Sequence, residues 1–406
     1  MATLNTSLVN SSSTNTIYAY VTGLQIDNNN SWYLLQSDGK TVYNPASPSK
    51  PGAALARDCA IPLANIGSTK TISIPHTAGG RIYLSYNDKL TFYINPGPNL
   101  VEPSVTNPSD PNINIAWGFC EFTWNAQQLY ANISYVDFVS IPIAIELDTD
   151  SGATLSVKGT RSNGLQTIAN GLTQQSQSDG QGWSSLIVKN SSGNLLRALS
   201  PNQGMVDNAN LFKDYYDPYV DQVWQKYKTT TMTIDTPGAG TVSGQVTNDG
   251  NLTLNNEKFS KPSTRDIFSA NSGPFATGSD SLRNAIIPRL NAEFNRSTLL
   301  KTDSFPAPEN LYYQETITNH YARIVHAANV DGRGYASPYD DVTPAGGVDQ
   351  SGFVNAGDPK VFTVTVGGRQ YDNTSTSTAS KRQGGTVCNW CGWDERVREG
   401  EDDKLV

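Results

Sequence analysis

WGFCEFTWN, residues 117–125, alternates as a β-strand does. Trp117, Phe119, Glu121, Thr123 and Asn125 point to one side, and Gly118, Cys120, Phe122 and Trp124 to the other. A second apolar run, NISYVDFVSIPIAIEL at 132–147, carries Asp137 sixteen positions after Glu121. Each acid interrupts a segment built for burial. Strand acids ordinarily lie on a solvated face, yet the residues sharing Glu121's face are aromatics and short hydrogen-bonding side chains. Asp137, between Val136 and Phe138, contributes nothing to packing. Linked by the short AQQLYA, the two runs are expected to form adjacent strands with both acids on one face. From the pattern alone, a functional pair and two solvated acids both remain open.

The wider chain reads as β-rich. Of its 406 residues 16% are charged and 37% hydrophobic, with 34 Gly and 22 Pro, a mixture that suits strands and loops better than a helical bundle. The net charge of −8 and the lack of a basic block argue against nucleic acid and anionic membrane as main partners. No run reaches the roughly 18–20 apolar residues of a membrane span. The opening MATLNTSLVNSSSTNT shows neither the basic nor the apolar region of a signal peptide. Four cysteines do not make a disulfide framework in so long a chain, and Cys59 and Cys120 pair only if the fold brings them together.

Strands and turns alternate up to about residue 150, which predicts a sandwich or barrel. Asp38-Gly39 marks a hairpin and Gly79-Gly80 a turn before RIYLSY. Helices are predicted in DPYVDQVWQKY, with Asp217 as N-cap, in SDSLRNAIIPRLNAEFNRS, and across PENLYYQETITNHYARIVHAANV. KVFTVTVGG reads as a final strand returning to the first sheet. Beyond Gln370 a low-complexity stretch leads to a lone Cys388-x-x-Cys391, which supports neither a zinc site nor a redox unit. His320 and His326, six apart, do not share a helix face and read as packing residues. Asp340 and Asp341 in PYDDV read as a solvated turn.

FCEFTWNAQQLYANISYVDFVSIPIAIEL resembles the core motif of glycoside hydrolase family 64, β-1,3-glucanases that cut long glucan chains into pentasaccharides. The resemblance runs over roughly 15–370, through FKDYYDPYVDQVWQKY, FATGSDSLRNAIIPRLNAEFNRSTLL and NHYARIVHAANVDGRGYASPYDDV. More distantly, the region is similar to the thaumatin-like fold. The resemblance implies a mainly β protein with an α/β part: a thaumatin-like β-sandwich or barrel domain beside a mixed α/β domain, forming a wide groove. The expected organisation is a flexible N-terminus at 1–15, the β domain at 16–150 completed by a strand near 360–368, the α/β domain at 151–345, and a disordered tail at 371–406.

By the same resemblance Glu121 is the general acid and Asp137 the general base of an inverting hydrolysis, and Thr123, Asn125, Tyr130 and Ser134 contact the glucan. The family commonly has Trp where Tyr130 stands and Thr where Ser134 stands. Inversion requires carboxyl groups about 6.5–9.5 Å apart, leaving room for water. Flanking aromatics are expected to keep Glu121 protonated, and hydroxyl or amide donors to keep Asp137 ionised. The implied partner is β-1,3-glucan, bound by a monomer without cofactor or metal. The family implies secretion, although no leader is visible. The competing reading is a thaumatin-like protein that binds β-1,3-glucan without cutting it.

Overall fold

A computed structural model describes residues 2–372. Its largest unit is an eight-stranded antiparallel sheet whose order runs Phe353–Ala356, Leu129–Ile133, Trp117–Trp124, Thr77–Tyr86, Ile17–Gln25, Ser31–Leu35 and Val42–Tyr43, with Ile61–Leu63 also paired to Ile17–Gln25. A five-stranded sheet follows the order Thr154–Val157, Ile143–Thr149, Pro359–Val366, Thr3–Asn10 and Thr69–Pro75. Gly118, in the middle of the larger sheet, faces Ile141 and Ile143 at the start of the smaller one. One core therefore takes Cys120 and Ile82 from the first sheet and Ile145, Leu147, Phe362 and Val364 from the second.

The returning strand is present at Pro359–Val366, but it joins the five-stranded sheet, parallel to Thr3–Asn10 and antiparallel to Ile143–Thr149. This corrects the reading of residues 1–15 as flexible. Along Thr3–Asn10 every second residue, Leu4, Thr6, Leu8 and Asn10, is buried. Half of that buried face is polar, which hid its period. Asn10 meets the cost of burial by donating to the carbonyls of Thr14 and Ala64 and accepting from Ser12.

Asp38 closes the expected hairpin, accepting from the backbone of Lys40 and Thr41. Gly79-Gly80 is not a turn. The strand Thr77–Tyr86 runs through it, and the chain bends instead at His76, where it passes from the five-stranded to the eight-stranded sheet. Thr123 lies opposite two residues of this strand, because Phe122 pairs with Gly80 and Trp124 with Thr77. Such a bulge needs a residue that tolerates positive φ, and Gly79 has φ 55°. Gly80 is required by contact: a Cβ there would lie 2.4 Å from the Phe122 ring.

The remaining chain is mixed α and β. Its helices are Gly164–Asp179, Pro201–Asp207, Asp217–Lys226, Thr264–Ser269, Ser281–Arg296 and His320–Ala328. Asp217 is the first helical residue, and Tyr216 occupies the N-cap position. The last helix is much shorter than its sequence pattern. Asn319 caps it through the Ala322 N–H. Just upstream, the Tyr215 hydroxyl takes both backbone groups of Thr318, leaving no helical bonding there. Tyr371 and Asp372, assigned to the tail, are docked by Arg161 and Ser162. Cys388, Cys391 and the rest of the tail lie outside the described residues. Cys59 and Cys120 are buried free thiols.

Leu8 is fully buried. Leu8→Ala is expected to cost about 2–5 kcal/mol, the range for deleting a core leucine. Urea denaturation checks this, and an unchanged midpoint would return the N-terminal residues to a flexible role.

Candidate active site

Strand register assembles the first part of the site. Arg81 pairs with Glu121, Glu121 with Asn132, and Asn132 with Phe353, so these four side chains form a row across four strands on one face. A second row, one pleat on, holds Thr123, Tyr130 and Asn355. Towards the other end, Phe119 pairs with Tyr83, and Tyr83 with Tyr20. The Phe92 ring packs on both tyrosines at 5.1 and 5.4 Å. The aromatic end is thus covered, whereas Thr123, Tyr130 and Phe353 keep exposed surface.

Glu121 is 8% exposed. Its surroundings are not aromatic alone, as the sequence suggested. Arg81 Nε lies 3.3 Å from Glu121 Oε1, while its Nη1 pairs with Glu102 and donates to the Tyr83 hydroxyl at 3.1 Å. The guanidinium also sits 4.9 Å from the Phe119 ring centre. Burial opposes its charge, but Glu102, Tyr83 and Glu121 hold it well above the ordinary arginine range.

Asp137 is not on a strand adjacent to Glu121. It occupies a bend between Leu129–Ile133 and Phe138–Val139, and the latter pairs with Leu195–Leu199 of a separate three-stranded sheet. The break follows from its neighbours: Ser134 forms a bridge to Tyr335, and the Tyr135 N–H donates to the Tyr335 carbonyl at 2.7 Å. The Asp137 carbonyl accepts from Ser200 N, and its Oδ1 accepts from Gln203 Nε2 at 3.0 Å. An amide donor therefore stands at this carboxylate. Ser200 caps the Pro201–Asp207 helix. In an S-x-x-Q start the glutamine ordinarily reaches back to the cap N–H. Here Asp137 has taken that N–H, and Gln203 reaches Asp137 instead.

Of the remaining expected contacts, Thr123 and Tyr130 face each other across the hairpin. Asn125 uses its side-chain oxygen to accept from Gln127 N and Gln128 N, which closes that hairpin. Ser134 is 6% exposed and tied to Tyr335. Sequence reasoning missed Phe353, whose ring stacks on Tyr130 at 5.2 Å and 21° while 36% of the residue remains exposed.

The glycoside hydrolase 64 family, described as β-1,3-glucanase, matches residues 2–366. The chain belongs to that family. It is 30% identical over 306 residues to a glucan endo-1,3-β-glucosidase of Cellulosimicrobium cellulans, and 30% over 320 residues to one of Arthrobacter sp. strain YCWD3. These alignments cover 73% and 76% of this chain but 53% and 55% of the relatives, so the chain spans about half their length. A crystal structure of a laminaripentaose-producing β-1,3-glucanase with laminaritetraose superposes with TM-score 0.80 at 33% identity, over 90% of this chain and 99% of that one. The glucanase domain from Clostridium beijerinckii shares the fold, with TM-score 0.71 at 23% identity, over 90% and 98% of the two chains.

In this family 64 chain, the loop after the last helix flanks the site through Tyr335. Asp340 is not a solvated turn residue. It is fully buried, accepts from Ala336 N and from both Ser337 N and Oγ, and lies 3.1 Å from His326 and 3.7 Å from Arg296. Burial pushes its carboxyl up, but His326, Arg296 and these donors outweigh it and hold the carboxyl below the usual range. Tyr335 donates to Asp341 at 2.8 Å. His320 is buried, with its Nε2 3.1 Å from the Thr316 carbonyl oxygen and its Nδ1 accepting from Arg323. Among the described residues no group of three or more His, Cys, Asp or Glu could hold a metal ion, and no helix is long and apolar enough to cross a membrane.

Asp340→Asn removes the carboxylate facing buried Arg296. Loss of one partner from such a pair typically costs about 3–5 kcal/mol. A denaturant midpoint that does not move would show that the backbone carbonyls of Asp340 and Val342, which also accept from Arg296, carry the interaction alone.

Proposed function

We propose that the chain is an inverting endo-β-1,3-glucanase releasing laminaripentaose, with Glu121 as general acid and Asp137 as general base. The observation that carries this reading is the pair of neighbouring rows across the larger sheet, one holding the nearly buried Glu121 with Phe353 at its far end and the other the partly exposed Thr123 and Tyr130. Likeness to the laminaripentaose-producing enzyme over nearly all of that enzyme's length supports the product assignment.

Glu121 would protonate the leaving glycosidic oxygen as the bond to the anomeric carbon breaks. Asp137 would take a proton from the water attacking the opposite face of that carbon. Gln203 would hold the Asp137 carboxylate in one orientation. Tyr130 and Phe353 would offer pyranose rings an apolar platform, and the Thr123 hydroxyl a hydrogen bond. We read the architecture as a thaumatin-like β unit and an α/β unit flanking a wide groove that receives one glucan chain. Action by a monomer outside the cell, without metal or cofactor, accompanies this reading.

The test is product analysis on linear β-1,3-glucan, with wild type beside Glu121→Gln and Asp137→Asn. Wild type is expected to release the pentasaccharide as its α anomer, and each variant to lose about 10²-fold or more in rate. Glucan pulled down without cleavage by wild type would instead indicate a binding protein. Phe353→Ala is expected to raise KM for long glucans about three- to tenfold with little change in kcat, the signature of lost uniform binding. An unchanged KM would remove Phe353 from the platform.

A further inference from the structure

A proton donor beside an arginine poses a problem of charge. A guanidinium facing Glu121 alone would favour the carboxylate, the form that cannot donate. Here the guanidinium is shared. Arg81 comes from the strand next to Glu121, and Glu102 comes from the segment after the Asn99–Val101 strand of a separate small sheet. One positive and two negative groups carry a net charge of −1 when both acids are ionised, and are neutral when one proton is held.

The register shows which acid has an acceptor for that proton. Asn132 lies directly opposite Glu121, and its buried side-chain oxygen has no hydrogen-bond donor. A carboxylate could not supply one, whereas a protonated carboxyl can. Glu102 already has Arg81 as its ion-pair partner. The titratable groups that interact with Glu121 or with its partner Arg81 include Tyr83 from the neighbouring strand, Glu102 from the loop, and Cys120 beside Glu121 in its own strand. Burial pushes the Cys120 thiol up to about 12 and the Tyr83 hydroxyl well above its usual range, so both stay neutral at working pH.

We propose that Glu102 is a positioning residue for the reaction: it takes up the charge of Arg81, so that Glu121 keeps its proton and offers it first to Asn132 and then to the leaving oxygen. This rests on the reading of Glu121 as general acid.

The test is the pH profile of kcat/KM on soluble laminari-oligosaccharides. Glu102→Gln leaves Arg81 facing Glu121 alone and is expected to move the basic limb down by about one pH unit or more. Activity should fall about tenfold at neutral pH and much less on the acid side. A second variant, Arg81→Met with Glu102→Gln, removes one charge of each sign and is expected to return the limb towards its wild-type position, even if the overall rate is lower. Uniform loss at every pH in Glu102→Gln, or a limb that the double variant does not restore, would overturn the proposal. Glu121→Gln separates the two levels. If it retains the wild-type rate, the reading of Glu121 itself fails. If it is inactive while the Glu102→Gln limb stays in place, only the role of Glu102 fails.

Discussion

The register of the Trp117–Trp124 strand against its two neighbours is the constraint on which the site depends. This strand is buried on both faces except at Thr123: one face enters the shared core through Gly118 and Cys120, and the other carries Phe119 and Glu121. A slip of one residue would exchange the two faces and send Glu121 into the core. Two features oppose the slip. Phe122 packs on the bare backbone of Gly80, where no Cβ fits, and the bulge at Gly79 takes up the extra residue at one place in the ladder. With that register held, Arg81 and Asn132 fall on either side of Glu121 without further adjustment.

The second acid depends on a different kind of contact. Asp137 belongs to the segment where the large sheet hands the chain to the α/β region, and almost every bond of that segment leaves the sheet. Tyr335 pairs with Ser134 and Tyr135, the Tyr321 hydroxyl donates to the Tyr135 carbonyl at 2.7 Å, and Gln203 holds the carboxylate. The two acids are thus set by two independent structures. A stiff ladder positions Glu121, and the docking of helical and loop elements positions Asp137. Damage to that docking would separate the pair while leaving the large sheet intact.

Polar burial elsewhere serves the same docking. Arg296 and Asp340 are both fully enclosed, and their hydrogen bonds fasten the loop that carries Tyr335 against the Ser281–Arg296 helix. Removing one charge from such a pair is costly because the other stays buried without that counter-charge. Residues far from the two rows of the large sheet can therefore control where Asp137 stands.

Local sequence was enough wherever a period or a turn residue carried the information. The alternation in WGFCEFTWN assigned Glu121 to the face of Phe119 and Thr123, Asp38-Gly39 marked its hairpin, and the apolar run near 360–368 announced a returning strand. Signals failed where a local pattern competed with long-range bonding. Half-polar burial concealed the Thr3–Asn10 strand, a bulge imitated a turn at Gly79-Gly80, and the Tyr215 hydroxyl shortened the last helix by taking the backbone of Thr318. Which strands neighbour one another, and hence that Arg81, Glu102 and Asn132 surround Glu121 while Gln203 reaches Asp137, was decided by tertiary structure alone. Those partners lie between 11 and 66 positions from the acids they touch or face, and no local period encodes pairing at that distance.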